Sequence, residues 1–311
     1  MELKKIFTNK AALIFFTLIC CFLWGSAFPF IKLGYRFSDI AGNDTDSQIL
    51  YAGIRFTVAG LLTLMIGSVI AQKPLLINKS SSIKSAKLSV FQTVLQYTFF
   101  YIGLARSTGT KSSVITASNV FLSILIAALV FKTEKLTIRK IIGCIIGFSG
   151  VLLINMGGIE EGFRFTGEGF IFLSALSCGF SAGLIKKYSV NENATLLSGW
   201  QFVIGGVFMT FIGLVCGGRV NLTGVKSILI LIYLSFVSAV AFSLWGTLLK
   251  YNPVSSVSVF GFMNPVFGVI LSYVLLSEKN DIESWKVVFA LLFVSCGIII
   301  VNTSSGKKRK N

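Results

Sequence analysis

The chain has 311 residues, of which 54% are hydrophobic and only 13% are charged, and its mean hydropathy is +0.82. Soluble domains carry roughly 25% charged residues, so this composition excludes a soluble globular enzyme. The sequence contains no histidine, which removes the commonest general base and a favoured metal ligand. The net charge of +16 lies mainly in segments beside apolar runs, which argues against a nucleic-acid partner.

Ten apolar runs separated by short polar stretches predict an all-α polytopic membrane protein with ten transmembrane helices. We place the helices at residues 11–35, 48–71, 86–105, 112–131, 138–157, 168–186, 196–216, 225–249, 254–277 and 285–303. At about 20 residues per span, ten spans leave too few residues for a soluble domain. No A-x-A-like cleavage site follows the basic N-terminus, so we interpret the first run as a retained span and not as a signal peptide.

The distribution of basic residues predicts the orientation of these spans. With the N-terminus inside, the inner segments hold 18 Lys and Arg residues and the outer segments hold 8. This bias is what decides topology, so we expect a plasma-membrane protein with both termini cytoplasmic. Basic tails beside the membrane support this orientation: Lys4, Lys5 and Lys10 at the start, and Lys307, Lys308, Arg309 and Lys310 at the end. The outer loop that carries Arg106 and Lys111 is the largest exception.

The cysteines all lie inside apolar runs and include no C-x-x-C pair. They are Cys20, Cys21, Cys144, Cys178, Cys216 and Cys296. This pattern predicts neither a zinc site nor a disulfide framework. We interpret the cysteines as small packing residues, and we expect no metal and no cofactor.

The two halves of the chain resemble each other. Residues 28–35 (FPFIKLGY) align with 182–189 (AGLIKKYS), and residues 52–67 align with 198–213. Three glycines match in the second pair of segments, and further matches join Asn119 to Asn264 and GVLLIN (150–155) to GIIIVN (297–302). The offsets are 154, 146, 145 and 147, in order along the chain. This near-constant spacing predicts an internal duplication, with one repeat at 1–157 and the other at 158–311.

Each predicted repeat has five helices, an odd number, so the second repeat enters the membrane from the opposite side. Such inverted repeats are typical of carriers, whose substrate site lies near the midplane at the repeat interface. Two related halves that exchange conformations convert an outward-open shape into an inward-open one. The duplication therefore predicts transport by alternating access.

Three segments carry a resemblance to EamA-type transporters of the drug/metabolite transporter superfamily. They are LWGSAFPFIK (23–32), the span 112–131 followed by Glu134, and FGFMNPVFGVILSYVLLSEK (260–279). The resemblance covers essentially the whole chain. It implies ten helices in a five-plus-five inverted repeat and a central cavity lined mainly by helices 1, 3, 4, 6, 8 and 9. It also implies transport of small metabolites, often export.

Several apparent or missing motifs limit the chemistry. GFSAG (179–183) satisfies G-x-S-x-G, but it lies in an apolar helix of a chain without histidine, so we expect no nucleophilic catalysis. Gly179 and Gly183 fit a close helix contact better, as do Gly143 and Gly147. No phosphate-binding loop of the G-x-x-x-x-G-K-[ST] type is present, so the chain encodes no ATP-driven pump.

The predicted spans contain no aspartate or glutamate well inside them. Proton-coupled carriers usually titrate an intramembrane carboxylate or histidine. We therefore expect facilitated diffusion or exchange instead of proton coupling. Glu134 and Glu278, at the ends of helices 4 and 9, keep proton coupling open, although capping or interface roles are the preferred interpretation for both.

Arg55 is the charge of greatest interest inside a predicted span. It lies seven residues after Gln48, which is about 10 Å into the second helix at helical rise. An ionisable residue at this depth is a candidate functional residue, and Arg55 could attract a substrate carboxylate. Snorkelling of its side chain to the outer interface is the alternative, and the sequence leaves both open. For Lys32, nearer a helix end, snorkelling is preferred.

Pro29 and Pro265 interrupt the first and ninth predicted helices. Each removes a backbone hydrogen bond that lipid cannot replace, so we expect both to act as hinges beside protein or a wet cavity. Asn264 precedes Pro265 and corresponds to Asn119 in the duplication. Both amides are candidate substrate ligands, with interhelical hydrogen bonding as the alternative.

Aromatic and hydroxyl side chains complete the candidate site. Tyr97 and Tyr101 lie one helical turn apart, as do Gln92 and Gln96, so the third helix carries polar stripes that we expect to face inward. Trp24 and Trp245 combine a large ring with a polar group, and anchoring at the membrane interface is the alternative for such residues. The predicted substrate-binding set is Trp24, Ser26, Arg55, Tyr97, Tyr101, Asn119, Ser181, Trp245 and Asn264.

These observations predict a secondary transporter of a small metabolite, an amino acid or related zwitterion, working as an exporter. Efflux of cationic or apolar drugs is the second hypothesis, and the missing intramembrane carboxylate argues against cationic drugs. An intramembrane enzyme, and a non-transporting scramblase or scaffold, are further alternatives. The expected partners are the substrate and the lipid bilayer, and the expected assembly is a monomer or weak homodimer.

Overall fold

The structure is a computed structural model that describes residues 2–104, 106, 107, 112, 115–154, 164–276 and 284–305. Over these ranges it is built of helices without strands, so the predicted all-helical class is confirmed. Several sequence predictions lie outside the described residues. They are the repeat boundary between 157 and 158, Lys111, Glu278 and the basic cluster at 307–310.

Helices occupy each of the ten predicted positions. The first half contains α1 (Glu2–Thr8), α2 (Lys10–Phe37), α3 (Thr45–Ala71), α4 (Lys79–Ser89), α5 (Gln96–Leu104), α6 (Asn119–Leu129) and α7 (Ile138–Ile154). The second half contains α8 (Phe170–Tyr188), α9 (Ala194–Val215), α10 (Val225–Tyr251), α11 (Val254–Ser258), α12 (Met263–Leu276) and α13 (Ser284–Ser305). A π-helical segment (Val90–Leu95) joins α4 to α5, a π-helical turn (Phe165–Gly169) precedes α8, and a 3-10 segment (Val259–Phe262) joins α11 to α12.

Five helical stretches in the described part of the chain are long and apolar enough to cross a membrane. They are Lys10–Phe37, Thr45–Ala71, Phe165–Tyr188, Ala194–Val215 and Val225–Tyr251. Shorter apolar helices cover Ile115–Leu129, Val254–Gly268 and Val288–Thr303. The hydrocarbon core of a bilayer needs about 20 helical residues, which all five long stretches exceed. The chain is therefore a multi-pass membrane protein.

Polar side chains in the loops cap the starts of the long helices. Asn9 Oδ1 accepts a hydrogen bond from Ala11 N at 2.8 Å at the start of α2. Asp44 does the same for Ser47 N at 3.0 Å at the start of α3. Hydrogen bonds from the Ser47 side chain and backbone hold the pKa of Asp44 below its ordinary value. These caps satisfy backbone N–H groups that have no partner within the helix.

Helices α3 and α9, which the duplication relates, pack against each other through glycines. A Cβ on Gly53 would lie 2.4 Å from Thr210 N, and a Cβ on Gly199 would lie 2.6 Å from a Leu64 methyl. The alignment offset of 146 relates these two contacts, because Gly53 corresponds to Gly199 and Leu64 corresponds to Thr210. The same relation joins Gly60–Val203 to Gly206–Thr57. Residue numbers rise along α3 as they fall along α9, so the two helices are antiparallel.

Other related helices repeat this arrangement. Gly143 of α7 approaches Gly297 of α13, and Gly150 approaches Ala290, as an offset of 147 requires. Similarly, Gly25 of α2 packs on Phe267 of α12, and its counterpart Gly179 of α8 packs on Leu122 of α6. The predicted close helix contacts at Gly143, Gly147, Gly179 and Gly183 are therefore confirmed. Small residues at such crossings let backbones approach closely, which supplies packing energy inside a membrane.

The packing role predicted for the cysteines holds only for some of them. Cys20, Cys21 and Cys144 are buried, whereas Cys216 and Cys296 are exposed. Cys20 and Cys21 also donate to backbone carbonyls of neighbouring helices, at 3.4 and 3.2 Å. Hydropathy alone does not distinguish a face that packs within the chain from one that faces lipid.

A buried ion pair lies at the end of the bundle that also holds α1. Lys140 Nζ and Glu134 Oε2 are 2.9 Å apart, and the two side chains are only 6% and 7% exposed. Glu134 also accepts hydrogen bonds from the Ser255 backbone N–H at 3.0 Å and from the Ser255 hydroxyl at 2.6 Å. It thus caps the start of α11, in agreement with the capping role preferred for it from the sequence.

Further polar contacts close the same end. Lys186 Nζ donates to the carbonyls of Lys250 and Asn252 at 3.1 and 2.6 Å, and Asn252 Nδ2 donates to the Phe7 carbonyl at 2.8 Å. Lys84 Nζ lies 2.7 Å from Glu192 Oε1. The Lys84 hydrogen bond lowers the pKa of Glu192. These contacts tie α1, α4, α8 and α10 together, and we refer to them with the Glu134 contacts as the end network.

Replacement of Glu134 by alanine is expected to destabilise the protein far more than replacement of Lys84. The first change leaves Lys140 buried without a counter-charge, at a cost of about 3 kcal/mol. The second removes a partly exposed pair worth about 0–1 kcal/mol. Thermal unfolding of both purified variants in detergent measures the difference. Equal melting temperatures for Glu134→Ala and Lys84→Ala would contradict this account of the end network.

Candidate substrate-binding site

Arg55 lies inside the helix bundle, where it is only 3% exposed. Its Nη2 donates to Ser238 Oγ of α10 at 2.9 Å, and its Cζ lies 5.1 Å from the centre of the Phe56 ring. Its Nε is buried without a hydrogen-bond partner. The structure therefore places the guanidinium within the protein. Snorkelling would instead require it to lie at the membrane surface.

No carboxylate contacts this guanidinium among the described residues. Arginine stays protonated at any physiological pH, so the site carries an uncompensated positive charge. The positive charge of Arg55 interacts electrostatically with four tyrosine hydroxyls, those of Tyr35, Tyr51, Tyr97 and Tyr101. Hydroxyl dipoles lower the cost of burying a cation, but they do not neutralise it.

Two of these tyrosines were predicted as site residues and two were not. Tyr97 and Tyr101 stack loosely at 6.1 Å between ring centres, as one-turn spacing on α5 allows. The Tyr35 and Tyr51 rings lie edge to face at 5.6 Å between centres. The Tyr51 hydroxyl oxygen is buried without a hydrogen-bond partner, whereas the Tyr35 hydroxyl interacts with that of Tyr101. The sequence signal for Tyr35 and Tyr51 would have been a stripe of polar residues on α2 and on α3, along the sides of these helices that face Arg55.

Aromatic rings form a continuous wall beside Arg55. Trp24 lies 4.9 Å from Trp245 and 5.0 Å from Phe242, measured between ring centres. Phe202 lies 5.0 Å from Phe242 and stacks on Phe56 at 5.2 Å. Phe56 in turn lies 4.4 Å from Tyr97. The aromatic wall thus comprises Trp245, Trp24, Phe242, Phe202, Phe56, Tyr97 and Tyr101.

Asn119 reaches this region through Cys178. Its Nδ2 donates to Cys178 Sγ at 3.8 Å, and the Cys178 thiol lies within electrostatic reach of Tyr97. Ser181 Oγ donates to the Cys178 carbonyl at 2.8 Å, so this predicted site hydroxyl bonds within its own helix. Cys178, interpreted from the sequence as a packing residue, thus also accepts a hydrogen bond from a candidate site residue.

Asn264 and Asn119 both follow an interruption of their helix. The 3-10 segment Val259–Phe262 precedes α12, and Asn264 is the second residue of α12. Asn119 is the first residue of α6, directly after a turn at Ser118. The sequence placed both in the middle of continuous spans, whereas the structure places them at symmetry-related breaks. Asn264 Oδ1 is buried without a partner.

The other predicted residues of the first helix fit the site less directly. Helix α2 continues through Pro29 from Lys10 to Phe37 without an interruption. Ser26 Oγ shares a hydrogen bond of 2.7 Å with Tyr233 Oη and donates to the Leu23 carbonyl at 2.7 Å. Its hydroxyl is therefore already satisfied by protein groups, as is that of Ser181.

Two glutamines on the third predicted span point inward, as expected. Gln92 lies in the π-helical segment and is 8% exposed. Gln96 begins α5, and the Oε1 atoms of both side chains are buried without partners. Next to them, Thr93 Oγ1 donates to Gln201 Oε1 of α9 at 2.5 Å. Such π-helical turns occur often at functional sites because they redirect side chains within a helix.

Arg55 is closed off from the surface in this structure, since it is only 3% exposed. A groove of about 290 Å³ lies elsewhere, between α2 and α12. Its lining is wholly apolar, comprising Phe15, Leu18, Ile19, Phe22, Leu23 and Phe267. No group of three or more candidate metal ligands occurs in the ranges that the structure covers.

Comparisons with known proteins agree with this architecture. The chain matches the EamA-like transporter family over residues 11–156 and again over 165–303. It is 25% identical over 305 residues to the uncharacterized transporter YvbV of Bacillus subtilis (strain 168), covering 96% of this chain and 93% of that protein. It is 28% identical over 274 residues to an uncharacterized transporter of Archaeoglobus fulgidus, covering 84% and 89%.

More distant similarities point the same way. A chloroplastic WAT1-related protein of Arabidopsis thaliana is 25% identical over 268 residues, which are 83% of this chain and 62% of that protein. A solved crystal structure shares the fold at a TM-score of 0.75 with 14% identity, covering 97% of this chain and all of that one. The double match to one family also accounts for the two similar halves. The chain belongs to the EamA-like transporter family of multi-pass membrane proteins.

Proposed function

We propose that the protein is a secondary carrier that exports a small zwitterion, an amino acid or a related compound, by alternating access across the plasma membrane. The observation that supports this most is Arg55, a buried cation without a carboxylate partner beside a wall of aromatic rings. A substrate carboxylate would supply the missing counter-charge through paired N–H···O bonds. The transporter names of the relatives support the class of function.

The symmetry of the helix contacts supports ten spans in two inverted repeats. Antiparallel packing of related helices, such as α3 with α9 and α7 with α13, is what a two-fold axis in the membrane plane produces. Arg55 and Phe202 lie on α3 and α9 near that axis. The proposed site therefore includes the second and seventh predicted spans, which correspond to α3 and α9, in addition to the spans that the family resemblance implies. With both termini cytoplasmic, the end network closes the cytoplasmic side.

Transport without proton coupling is part of the same proposal. Glu134 and Glu192 lie in the end network in contact with lysines, and not beside Arg55. Glu168, a buried carboxylate just before α8, accepts hydrogen bonds from Ser107 Oγ at 2.8 Å and from the Arg164 backbone N–H at 2.7 Å. None of these three carboxylates contacts Arg55, so none is placed to shuttle a proton through the site. We therefore infer facilitated diffusion or exchange, in which the substrate gradient alone drives flux.

Efflux of uncharged apolar drugs is the second candidate function, because the aromatic wall offers a large apolar surface. A cationic drug is disfavoured, since Arg55 would repel it at low dielectric. A scramblase or scaffold would show no saturable exchange of a small solute.

Counterflow in proteoliposomes distinguishes these functions. Vesicles loaded with unlabelled amino acid should accumulate the labelled compound transiently and saturably, and an imposed pH gradient should leave the initial rate unchanged. Saturable exchange of apolar drugs without exchange of any amino acid would favour the second candidate. A rate that follows the pH gradient would show proton coupling and implicate Glu134 or Glu278.

Arg55→Gln is expected to lower counterflow by roughly 30- to 140-fold, because a charge-assisted hydrogen bond contributes about 2–3 kcal/mol. Arg55→Lys keeps the charge but loses the forked geometry, so an intermediate rate is expected. Arg36→Gln is the matched control, since Arg36 is exposed at the end of α2. If Arg55→Gln and Arg36→Gln transported equally well, Arg55 would not contact substrate.

Asn119→Leu and Asn264→Leu are each expected to reduce counterflow while membrane insertion and expression stay intact. Asn264→Leu should be the more damaging, because its carbonyl oxygen has no protein partner and it lies beside the break at Val259–Phe262. Initial rates, normalised to the amount of reconstituted protein, test this order. Near-wild-type rates in both variants would reduce the pair to a packing role.

A further inference from the structure

Three side-chain carbonyl oxygens are buried without a hydrogen-bond partner in the described part of the protein. They are Gln92 Oε1, Gln96 Oε1 and Asn264 Oδ1. An amide oxygen accepts hydrogen bonds and cannot donate them. Leaving such an acceptor unpaired costs about 1–3 kcal/mol, so three together indicate a ligand that donates several hydrogen bonds.

Local structure holds two of these acceptors together on one helix. Gln92 and Gln96 are four residues apart across the end of the π-helical segment, a spacing that places side chains one above the other. The neighbouring Thr93 is anchored to Gln201 of α9, and the Phe91 carbonyl accepts a hydrogen bond from Ser177 of α8. Helix contacts on both flanks therefore fix which way Gln92 faces.

The helices that carry these acceptors are connected to the aromatic wall beside Arg55. Tyr97, which follows Gln96 directly, lies within electrostatic reach of both Arg55 and Cys178. Asn119 binds Cys178, and its Oδ1 lies 3.8 Å from the position that a Cβ on Gly261 would occupy, three residues before Asn264. These contacts connect Arg55, through Tyr97, Cys178 and Asn119, to the segment that precedes Asn264.

We propose that Gln92, Gln96 and Asn264 bind the ammonium group of the substrate while Arg55 binds its carboxylate. This inference rests on the proposed function and deepens it, because it names the substrate class as α-amino acids in preference to organic acids without an amine. An ammonium group has three N–H donors, which matches three acceptors. Tyr97 and Trp24 lie in the wall beside them and offer ring faces to the same cation.

A competition assay tests this assignment. The best-transported L-α-amino acid serves as the labelled probe in counterflow. Unlabelled amino acid and the corresponding L-2-hydroxy acid, in which a hydroxyl replaces the ammonium group, serve as competitors. The selectivity ratio is the concentration of hydroxy acid that halves counterflow divided by the concentration of amino acid that does so.

Gln92→Leu and Gln96→Leu should each lower this ratio about tenfold, since each removes one hydrogen bond to a charged group. Gln96→Glu keeps an acceptor and should keep or raise the ratio, which also guards against a leucine variant that fails to fold. Gln48→Leu is the matched control, because Gln48 is also buried but its Nε2 donates to the Ala41 and Gly42 carbonyls at the start of α3. Arg55→Gln should weaken both competitors alike and leave the ratio unchanged.

The outcomes separate this inference from the proposed function. A wild-type protein that exchanges none of the amino acids overturns the proposed function, and this inference with it. A wild-type protein that exchanges amino acids, but whose ratio is unchanged in Gln92→Leu and Gln96→Leu, overturns this inference alone. In that case water, and not the ammonium group, satisfies the three oxygens.

Discussion

A buried guanidinium that no carboxylate contacts among the described residues is the constraint around which the proposed site is organised. An arginine side chain carries its charge into the interior, and the desolvation of Arg55 is only partly offset by Ser238, the Phe56 ring and four tyrosine hydroxyls. A structure that keeps such a group retains an affinity for anions. The surrounding aromatic wall excludes water and so strengthens that attraction. Burial and charge at one residue therefore account for both the polarity and the dryness of the site.

Much of the fold is predictable because membrane insertion makes hydropathy almost sufficient. The apolar runs predicted helices at all ten places. The glycine pairs Gly143/Gly147 and Gly179/Gly183 predicted close helix contacts, since small residues let backbones approach closely. The depth of Arg55 along its helix was likewise readable from its distance to Gln48. These features depend on position along the chain, which a sequence states directly.

Features that depend on rotation about a helix axis were not predictable in the same way. Tyr35 and Tyr51 join the site, whereas Ser26 turns to Tyr233 and Ser181 bonds its own helix. A Phe-rich chain has no polar face to set the rotation, because lipid and protein interior are equally apolar. The breaks at Ser118 and Val259–Phe262 were missed for a related reason, since only one of them lies near a proline.

The break before α12 also connects the proposed site to the end network. Glu134 caps α11 at Ser255, and Asn264 lies nine residues further along, beyond one short helix and one 3-10 segment. A ligand that binds Asn264 would act on one end of this short segment. A contact that disrupts the Glu134 cap would act on its other end. Coupling between two sites requires an element with two arrangements that both sites bias. The segment from Ser255 to Asn264 adjoins both the end network and the proposed site, so it is where the proposed mechanism requires a second arrangement. The proposed alternating access then needs no long pathway, because the proposed substrate site and the end network share a segment two to three turns long.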